Sequence, residues 1–123
     1  IGVMTRETKW RGRLVGSIAP QIGETVVDLG CGTGTLAIML ASAAPNLRVI
    51  GVDPDPDVLT IATEKALGQQ IDIEFFEALG GERIEGLPYG NADKVLASLV
   101  LHQCPIDAKQ ALLANAYALL KAG

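Results

Sequence analysis

Three glycines at alternate positions, directly after a short apolar run, constrain this chain more than any other feature of its sequence. Residues 25–29 are mostly apolar and contain one acid, Asp28, and Gly30, Gly32 and Gly34 follow. A helical pattern begins immediately after the third glycine. The stretch predicts a buried strand that turns into a helix through a loop with almost no side chains, where a ligand can press against the main chain. Such a loop is typical of a site for a nucleotide-like cofactor.

The rest of the chain alternates between strand-like and helical patterns. The spacing of apolar residues predicts strands at residues 25–29, 48–52, 71–76 and 94–101, and helices at about residues 6–18, 34–44, 56–67 and 106–121. The third helix is expected to stop at Gly68. Alternating strands and helices with short loops require a parallel sheet with right-handed crossovers. The sequence therefore predicts an α/β fold.

An acid stands at the end of the second predicted strand. A carboxylate at this place, Asp53, can accept hydrogen bonds from both hydroxyls of a ribose. The alternative is that Asp53 only caps the helix that follows. We favour the ribose role, because Asp55, directly before Pro56, is the better capping residue.

The spacing of the glycines separates two classes of cofactor site. The dinucleotide fingerprint requires G-x-G-x-x-G, but its third glycine position is Thr35 here, and the third glycine comes one residue earlier. With the acid included, the pattern Asp28-x-Gly30-x-Gly32-x-Gly34 resembles motif I of the class I S-adenosylmethionine-dependent methyltransferases.

This resemblance covers about residues 10–123 and implies a particular sheet. It implies a Rossmann-like three-layer sandwich, with helices on both faces of a parallel sheet of at least four strands in the order 3-2-1-4. Residues 1–123 are then the N-terminal part of an S-adenosylmethionine-binding domain, and the last strands of the usual sheet are missing. The fourth strand would be an open apolar edge. We expect the remainder of a longer protein to cover that edge, or else a second copy of the chain, which makes a homo-oligomer possible.

The resemblance also implies a set of cofactor contacts. Asp28 would lie near the methionine end of the cofactor. As an equally open alternative, its side chain would hold the glycine loop by bonding the backbone N–H groups of that loop. The three glycines would leave room for the cofactor, Asp53 would bind the ribose, and Pro54 would lie against the adenine. Glu77, where the family more often has aspartate, would approach the adenine amino group, and Ala78 would bring a backbone N–H to the ring.

Three further residues complete the predicted site. Cys31 belongs to the glycine loop and is interpreted as a packed small residue, because no histidine or lysine stands near it in the sequence to make it a nucleophile. Ser98 is expected to line the floor of the cleft. His102 follows the fourth strand and is the candidate catalytic base. It could instead shape the substrate pocket, because a sulfonium donor that is well aligned with its acceptor often needs no base.

Composition narrows the possible partners. The chain has 123 residues, enough for one domain, and its net charge of −4 argues against nucleic acid as the main partner. No apolar stretch is long enough to cross a membrane. Cys31 and Cys104 have no metal-ligand spacing, so we expect no metal, and a reducing cytoplasmic location is the default.

The sequence therefore predicts a methyltransferase that uses S-adenosylmethionine to methylate a small molecule. The stretch Leu87-Pro88-Tyr89, followed by Asp93 and His102, resembles the corresponding part of small-molecule and quinone-type methyltransferases. Two alternatives stay open. One is an NAD-dependent oxidoreductase domain, and the other is a non-catalytic module that binds a cofactor or a partner.

Overall fold

The alternation of strands and helices is present in a computed structural model, which describes residues 6–97 and 106–122. The elements are α1 (Arg6–Ile18), β1 (Thr25–Leu29), α2 (Thr35–Ala41), β2 (Arg48–Asp53), α3 (Pro56–Gly68), β3 (Glu74–Glu77), β4 (Lys94–Ala97) and α4 (Ile106–Leu119). The remainder of the fourth predicted strand, residues 98–101, lies outside the described residues. None of the helices in the described part is long and apolar enough to span a membrane.

The four strands form one parallel sheet in the order β3-β2-β1-β4, which confirms the predicted order. In the centre of the sheet, Val27 of β1 is paired with Ile50 of β2 and Val95 of β4. β1 lies between two neighbours and is covered on both faces, so its apolar run is buried. This arrangement aligns the C-terminal ends of β1 and β2 at one edge of the sheet.

Successive residues of β1 face opposite sides, and each side has its own apolar core. Towards α1 and α2 the core contains Val26, Leu36, Ala37, Leu40 and Val49. Towards α4 it contains Val27, Leu29, Ile50, Val52, Ile84, Leu87, Ala92, Leu112 and Leu119. The predicted three-layer sandwich is confirmed. On the second face, the segment between β3 and β4 has no helix and covers the sheet through two buried side chains, Ile84 and Leu87.

The two largest differences from the predicted boundaries are of three residues each, and the first concerns α2. The helix was predicted to run to about residue 44, but it ends at Ala41. The Ser42 hydroxyl donates to the Ile38 carbonyl oxygen, and the Ala43 N–H donates to Leu40, three residues back. The last turn therefore tightens, and hydrogen bonding of the backbone by serine competes with continuation of the helix.

The second boundary is that between α3 and β3. Gln70, not Gly68, has the left-handed conformation, with φ of 58°. The Ile71 N–H donates to the Ala66 carbonyl oxygen and the Gln70 N–H to Leu67, which is the hydrogen-bond pattern of a Schellman motif. Because residues 70 and 71 close this cap, β3 begins at Glu74 rather than at residue 71.

Charged side chains hold the N-terminal ends of β1 and β4 together. Asp93 accepts hydrogen bonds from the Thr25 N–H and from the Lys121 ammonium, each at 2.7 Å. Beside it, the Lys94 ammonium donates to Glu24 at 2.6 Å. The hydrogen bond from Lys121, followed by that from Thr25, holds the pKa of the Asp93 carboxyl below its usual value. Asp93 therefore has a structural role at this end of the sheet.

This lowered pKa predicts a pH-dependent effect of Asp93→Asn. A folded-state pKa below the ordinary value of 3.8 means that the stabilisation is complete above that value and is lost as the pH falls through the folded-state pKa. We expect the substitution to reduce the free energy of unfolding at neutral pH and to have a smaller effect at about pH 3. Urea unfolding at both pH values measures this. The exposed Asp72→Asn is the control, and equal effects of Asp93→Asn at the two pH values would contradict the prediction.

Candidate functional site

The C-terminal ends of β1 and β2 meet at the glycine loop, residues 30–34. Gly30, Gly32 and Gly34 have φ values of 84°, 56° and 81°, which lie in the left-handed region. The N–H groups of Gly30 and Cys31 both donate to the Val52 carbonyl oxygen, at 2.6 and 2.9 Å. The loop is therefore fastened to the end of β2, and it needs glycine at the three alternate positions that the sequence indicated.

Two of these glycines face different surroundings. A Cβ atom built on Gly32 would have nothing within 4 Å, so this residue borders open space. A Cβ atom on the buried Gly34 would lie 3.0 Å from the Cβ of Ala62 on α3 and 3.6 Å from the ring of Phe75. Room for a cofactor was the predicted reason for all three glycines. The structure gives Gly34 a different one, the close packing of α3.

A buried carboxylate joins the glycine loop to the turn after β2. Asp53 is 8% exposed, and its two oxygens accept from the N–H groups of Gly32 and Asp55, each at 3.0 Å. The N-cap of α3 is Asp55, whose side chain accepts from the Asp57 N–H at 2.9 Å, with Pro56 at the start of the helix. Asp53 is therefore not the cap. Each of its oxygens has a second lone-pair site, so it retains capacity for two more donors.

Asp28 lies inside the sheet, two residues before the loop. It is 1% exposed and is in register with Gly51 of β2 and Leu96 of β4. Its charge contributes to the raised pKa of the nearby Cys31 thiol. The structure places Asp28 within β1, buried two residues before the loop. Its two predicted roles, at the methionine end or in support of the loop, stay predictions.

The thiol of Cys31 is buried against β2. A Cβ atom on Gly51 would lie 2.9 Å from the Cys31 sulfur, which shows that the side chain points towards the sheet. Burial raises the pKa of this thiol to about 12, and the charges of Asp28 and Asp53 add to the effect. These surroundings fit a packed small residue and do not activate a nucleophile.

The raised pKa predicts that Cys31 resists alkylation in the folded chain. A rise from 9.0 to about 12 leaves about a thousandfold less thiolate at a given pH. We therefore expect iodoacetamide to label this residue at least about a hundredfold more slowly in the native chain than in urea. Peptide mapping by mass spectrometry measures the two rates. Comparable rates would show that the thiol is accessible and ionised.

The acid after β3 comes close to the end of β2. Asp53 and Glu77 are in register, and the Ala78 N–H donates to the Asp53 carbonyl oxygen at 3.1 Å. Pro54 and Glu77 are both exposed at this edge. The structure thus brings together the residues predicted to surround an adenine ring. The N–H group of Ala78, predicted to reach the ring, is bonded within the sheet, so its contact with a ligand stays a prediction.

Two predicted site residues, Ser98 and His102, lie outside the described residues. The predictions for them, as part of the cleft floor and as a candidate base, therefore stay predictions. Among the described residues, the structure gathers the remaining site residues at the C-terminal ends of β1, β2 and β3. Ligands of open α/β sheets bind at this edge.

Sequence reasoning missed an apolar crevice beside β3. It has a volume of about 290 Å³ and lies between the segment after β3 and α4, where its apolar lining consists of Leu79, Gly80, Gly81, Ala108, Ala111 and Leu112.

Sequence reasoning also missed Asn115, a polar residue that is only 7% exposed. It stands between Leu112 and Leu119 on the buried side of α4, and this polar interruption of an apolar row was the signal available.

Thr35 stands where the dinucleotide fingerprint has its third glycine, and its surroundings differ from those of such a glycine. Thr35 is the first residue of α2, and its hydroxyl accepts from the Lys65 ammonium on α3 at 2.8 Å. The glycine that allows close helix packing is Gly34, one residue earlier. Both observations depart from the dinucleotide arrangement.

Comparisons with known proteins agree with this geometry. The chain is 38% identical over 72 residues to a demethylmenaquinone methyltransferase of Thermus thermophilus, which is 58% of this chain and 33% of that protein. It is 43% identical over 61 residues to a release factor glutamine methyltransferase of Enterococcus faecalis, which is 50% of this chain and 22% of that protein. The chain thus spans about a third or less of the length of these relatives.

A solved structure has the same fold. The geranyl diphosphate methyltransferase, determined with GPP and sinefungin, superposes with a TM-score of 0.78 at 19% identity, over 95% of this chain and 42% of its own. Residues 26–123 match the methyltransferase domain family, a span that includes the glycine loop, Asp53 and α4. The chain therefore belongs to the methyltransferase domain family, and S-adenosylmethionine is the cofactor that this family indicates for the site.

Proposed function

We propose that this chain is the cofactor-binding part of a methyltransferase that transfers a methyl group from S-adenosylmethionine to a small molecule. One observation carries the proposal: the buried carboxylate of Asp53 bonds the Gly32 N–H, and Gly32 itself borders open space. A carboxylate with remaining acceptor capacity, beside a backbone that a ligand can approach, fits a ribose diol.

The proposed contacts follow the edge of the sheet. Asp53 would accept from both ribose hydroxyls, and the main chain at Gly30 and Gly32 would lie against the cofactor. Pro54 and Glu77 would meet the adenine, because both are exposed beside Asp53 at the ends of β2 and β3. When bound, S-adenosylmethionine supplies a methyl group already activated by a positive sulfur. The task of this part of the chain is then to bind and orient the donor.

A direct binding comparison tests the cofactor. We expect isothermal titration to give micromolar affinity for S-adenosylhomocysteine, about 8 kcal/mol of binding free energy, and no measurable binding of NADH. The position of Thr35, with its hydroxyl bonded by Lys65, supports this choice over a dinucleotide. Tighter binding of NADH than of S-adenosylhomocysteine by the folded chain would favour the oxidoreductase alternative.

A small molecule is proposed as the methyl acceptor on separate grounds from the cofactor. The apolar crevice of about 290 Å³ beside β3 has a size suited to a small ligand, and the net charge of −4 disfavours nucleic acid. One relative is named for a quinone-type acceptor and another for a protein factor. The names are therefore compatible with a small-molecule acceptor but do not select it over a protein.

The fate of a labelled methyl group tests the acceptor class. The chain is incubated with methyl-labelled S-adenosylmethionine and a cell extract, and the products are separated into a solvent-extractable and an acid-precipitable fraction. We expect the label in the extractable fraction, where small apolar products collect. Label in precipitated protein or nucleic acid would contradict the small-molecule acceptor, whereas cofactor binding without transfer would favour a non-catalytic module.

We extend the proposal to location and assembly. The free, buried thiol of Cys31 suits a reducing cytoplasm. β4 is an end strand of the described sheet, and a second copy of the chain is the partner proposed for its outer edge. Sedimentation of the 123-residue chain would measure this association, and a monomer at high concentration would contradict it.

A further inference from the structure

A series of hydrogen bonds connects α4 with the segment after β3. The Tyr89 hydroxyl accepts from the Ile84 N–H and donates to the side-chain oxygen of Asn115, each at 2.8 Å. The side-chain nitrogen of Asn115 donates to the Gly80 carbonyl oxygen at 2.7 Å. The amide of Asn115 thus uses its oxygen on one partner and its nitrogen on another, and both partners belong to the segment between β3 and β4.

The same segment is held to the proposed cofactor side. Ala78 donates its N–H to the Asp53 carbonyl oxygen at 3.1 Å, and Gly80 is only two residues further along. Gly80 also packs directly on α4, since a Cβ atom there would lie 2.7 Å from a methyl carbon of Leu112. The short stretch from Ala78 to Gly80 is therefore fixed by β2 at one end and by α4 at the other.

The network lies largely out of solvent, which makes each bond costly to lose. Asn115 is 7% exposed, and Gly80 is buried. A buried polar group that loses its partner bears the cost of desolvation with no compensating bond, so its surroundings shift to restore one. The Arg83 guanidinium lies 4.1 Å from the centre of the Tyr89 ring and holds that ring by a cation–π contact.

We propose that Asn115 and Tyr89 are positioning residues for the cofactor. They hold residues 78–82 in the position that receives the adenine end, and they form the support for one wall of the apolar crevice. This inference rests on the proposed function, which places the adenine beside Glu77. Cofactor affinity then depends on Asn115 of α4, which supports residues 78–82 from the side away from the cofactor.

Binding of two ligands to the 123-residue chain tests the inference. S-adenosylhomocysteine carries both ends of the cofactor, whereas 5′-methylthioadenosine lacks the amino-acid end. We expect Asn115→Ala to weaken the binding of both ligands by the same factor, about tenfold, because the disturbed segment, residues 78–82, receives the adenine that the two ligands share. Tyr89→Phe keeps the bond from Asn115 to Gly80, and we expect a smaller loss of about threefold.

Leu119→Ala is the control for general destabilisation. Leu119 is fully buried on α4, one turn beyond Asn115, and does not line the crevice. We expect it to lower the melting temperature at least as much as Asn115→Ala, with both affinities unchanged. Hydrogen exchange at residues 78–82 should accelerate in Asn115→Ala and not in the control.

Three results would overturn the inference. The first is unchanged affinity in Asn115→Ala, the second is an equal loss in Leu119→Ala, and the third is a loss confined to S-adenosylhomocysteine. If Asn115→Ala does not fold, Tyr89→Phe decides by the same criteria. An unaltered, folded chain that binds neither ligand would contradict the proposed function itself, and the inference would fall with it.

Discussion

Asp53→Asn is expected to weaken the binding of S-adenosylhomocysteine about a hundredfold, or by about 2.7 kcal/mol. The carboxylate accepts from the Gly32 and Asp55 N–H groups and, in the proposed complex, from two ribose hydroxyls. Asparagine has nearly the same shape but offers one oxygen and one NH₂ group. It can therefore serve donors on one side only, and hydrogen bonds to a charged acceptor become bonds to a neutral one.

The measurement is isothermal titration of both chains at the same pH. Asp57→Asn is the matched control, because it makes the same chemical change at an exposed carboxylate four residues further along the chain. We expect the control to bind S-adenosylhomocysteine like the unaltered chain. Urea unfolding should also show Asp53→Asn to be less stable by about 1–3 kcal/mol, since one backbone N–H loses its acceptor. Affinity retained by Asp53→Asn would remove the ribose contact from the proposal.

Gly34→Ala and Gly32→Ala are expected to have opposite dominant effects. Both residues have positive φ, so alanine costs about 1–2 kcal/mol at either position. At Gly34 the new methyl group would also lie 3.0 Å from the Cβ of Ala62, which adds about 1–3 kcal/mol of overpacking. At Gly32 it would meet no protein atom within 4 Å and would instead enter the space proposed for the cofactor.

We therefore expect Gly34→Ala to be the less stable variant and Gly32→Ala to be the weaker binder. Urea unfolding gives the first comparison, and titration with S-adenosylhomocysteine at a temperature where both variants are folded gives the second. Each variant serves as the control for the other, because the chemical change and the backbone region are the same. Normal affinity in Gly32→Ala would show that the cofactor does not contact this part of the loop.

Features encoded within a few residues were predictable. The capping of α3 by Asp55 depends on the next two residues, and the structure shows the predicted cap. The glycine loop was likewise predicted, because its signal lies in a short apolar run and a motif with fixed spacing. The order of the strands was predicted only through the resemblance to a methyltransferase family, and the structure confirms it. Where several residue types can serve locally, prediction failed. Gln70 rather than Gly68 has the left-handed conformation in the cap of α3.

The sequence by itself determined the α/β class, the carboxylate at the end of β2 and the loop that faces it. The tertiary structure alone decided why Gly34 must be glycine, because the side chain that would collide with it, Ala62, comes from α3. It also decided the hydrogen-bond partners of Asn115, because Gly80 and Tyr89 are distant from it in sequence. Backbone angles and caps are local properties of a chain, whereas close packing and buried hydrogen bonds exist only between segments that folding brings together.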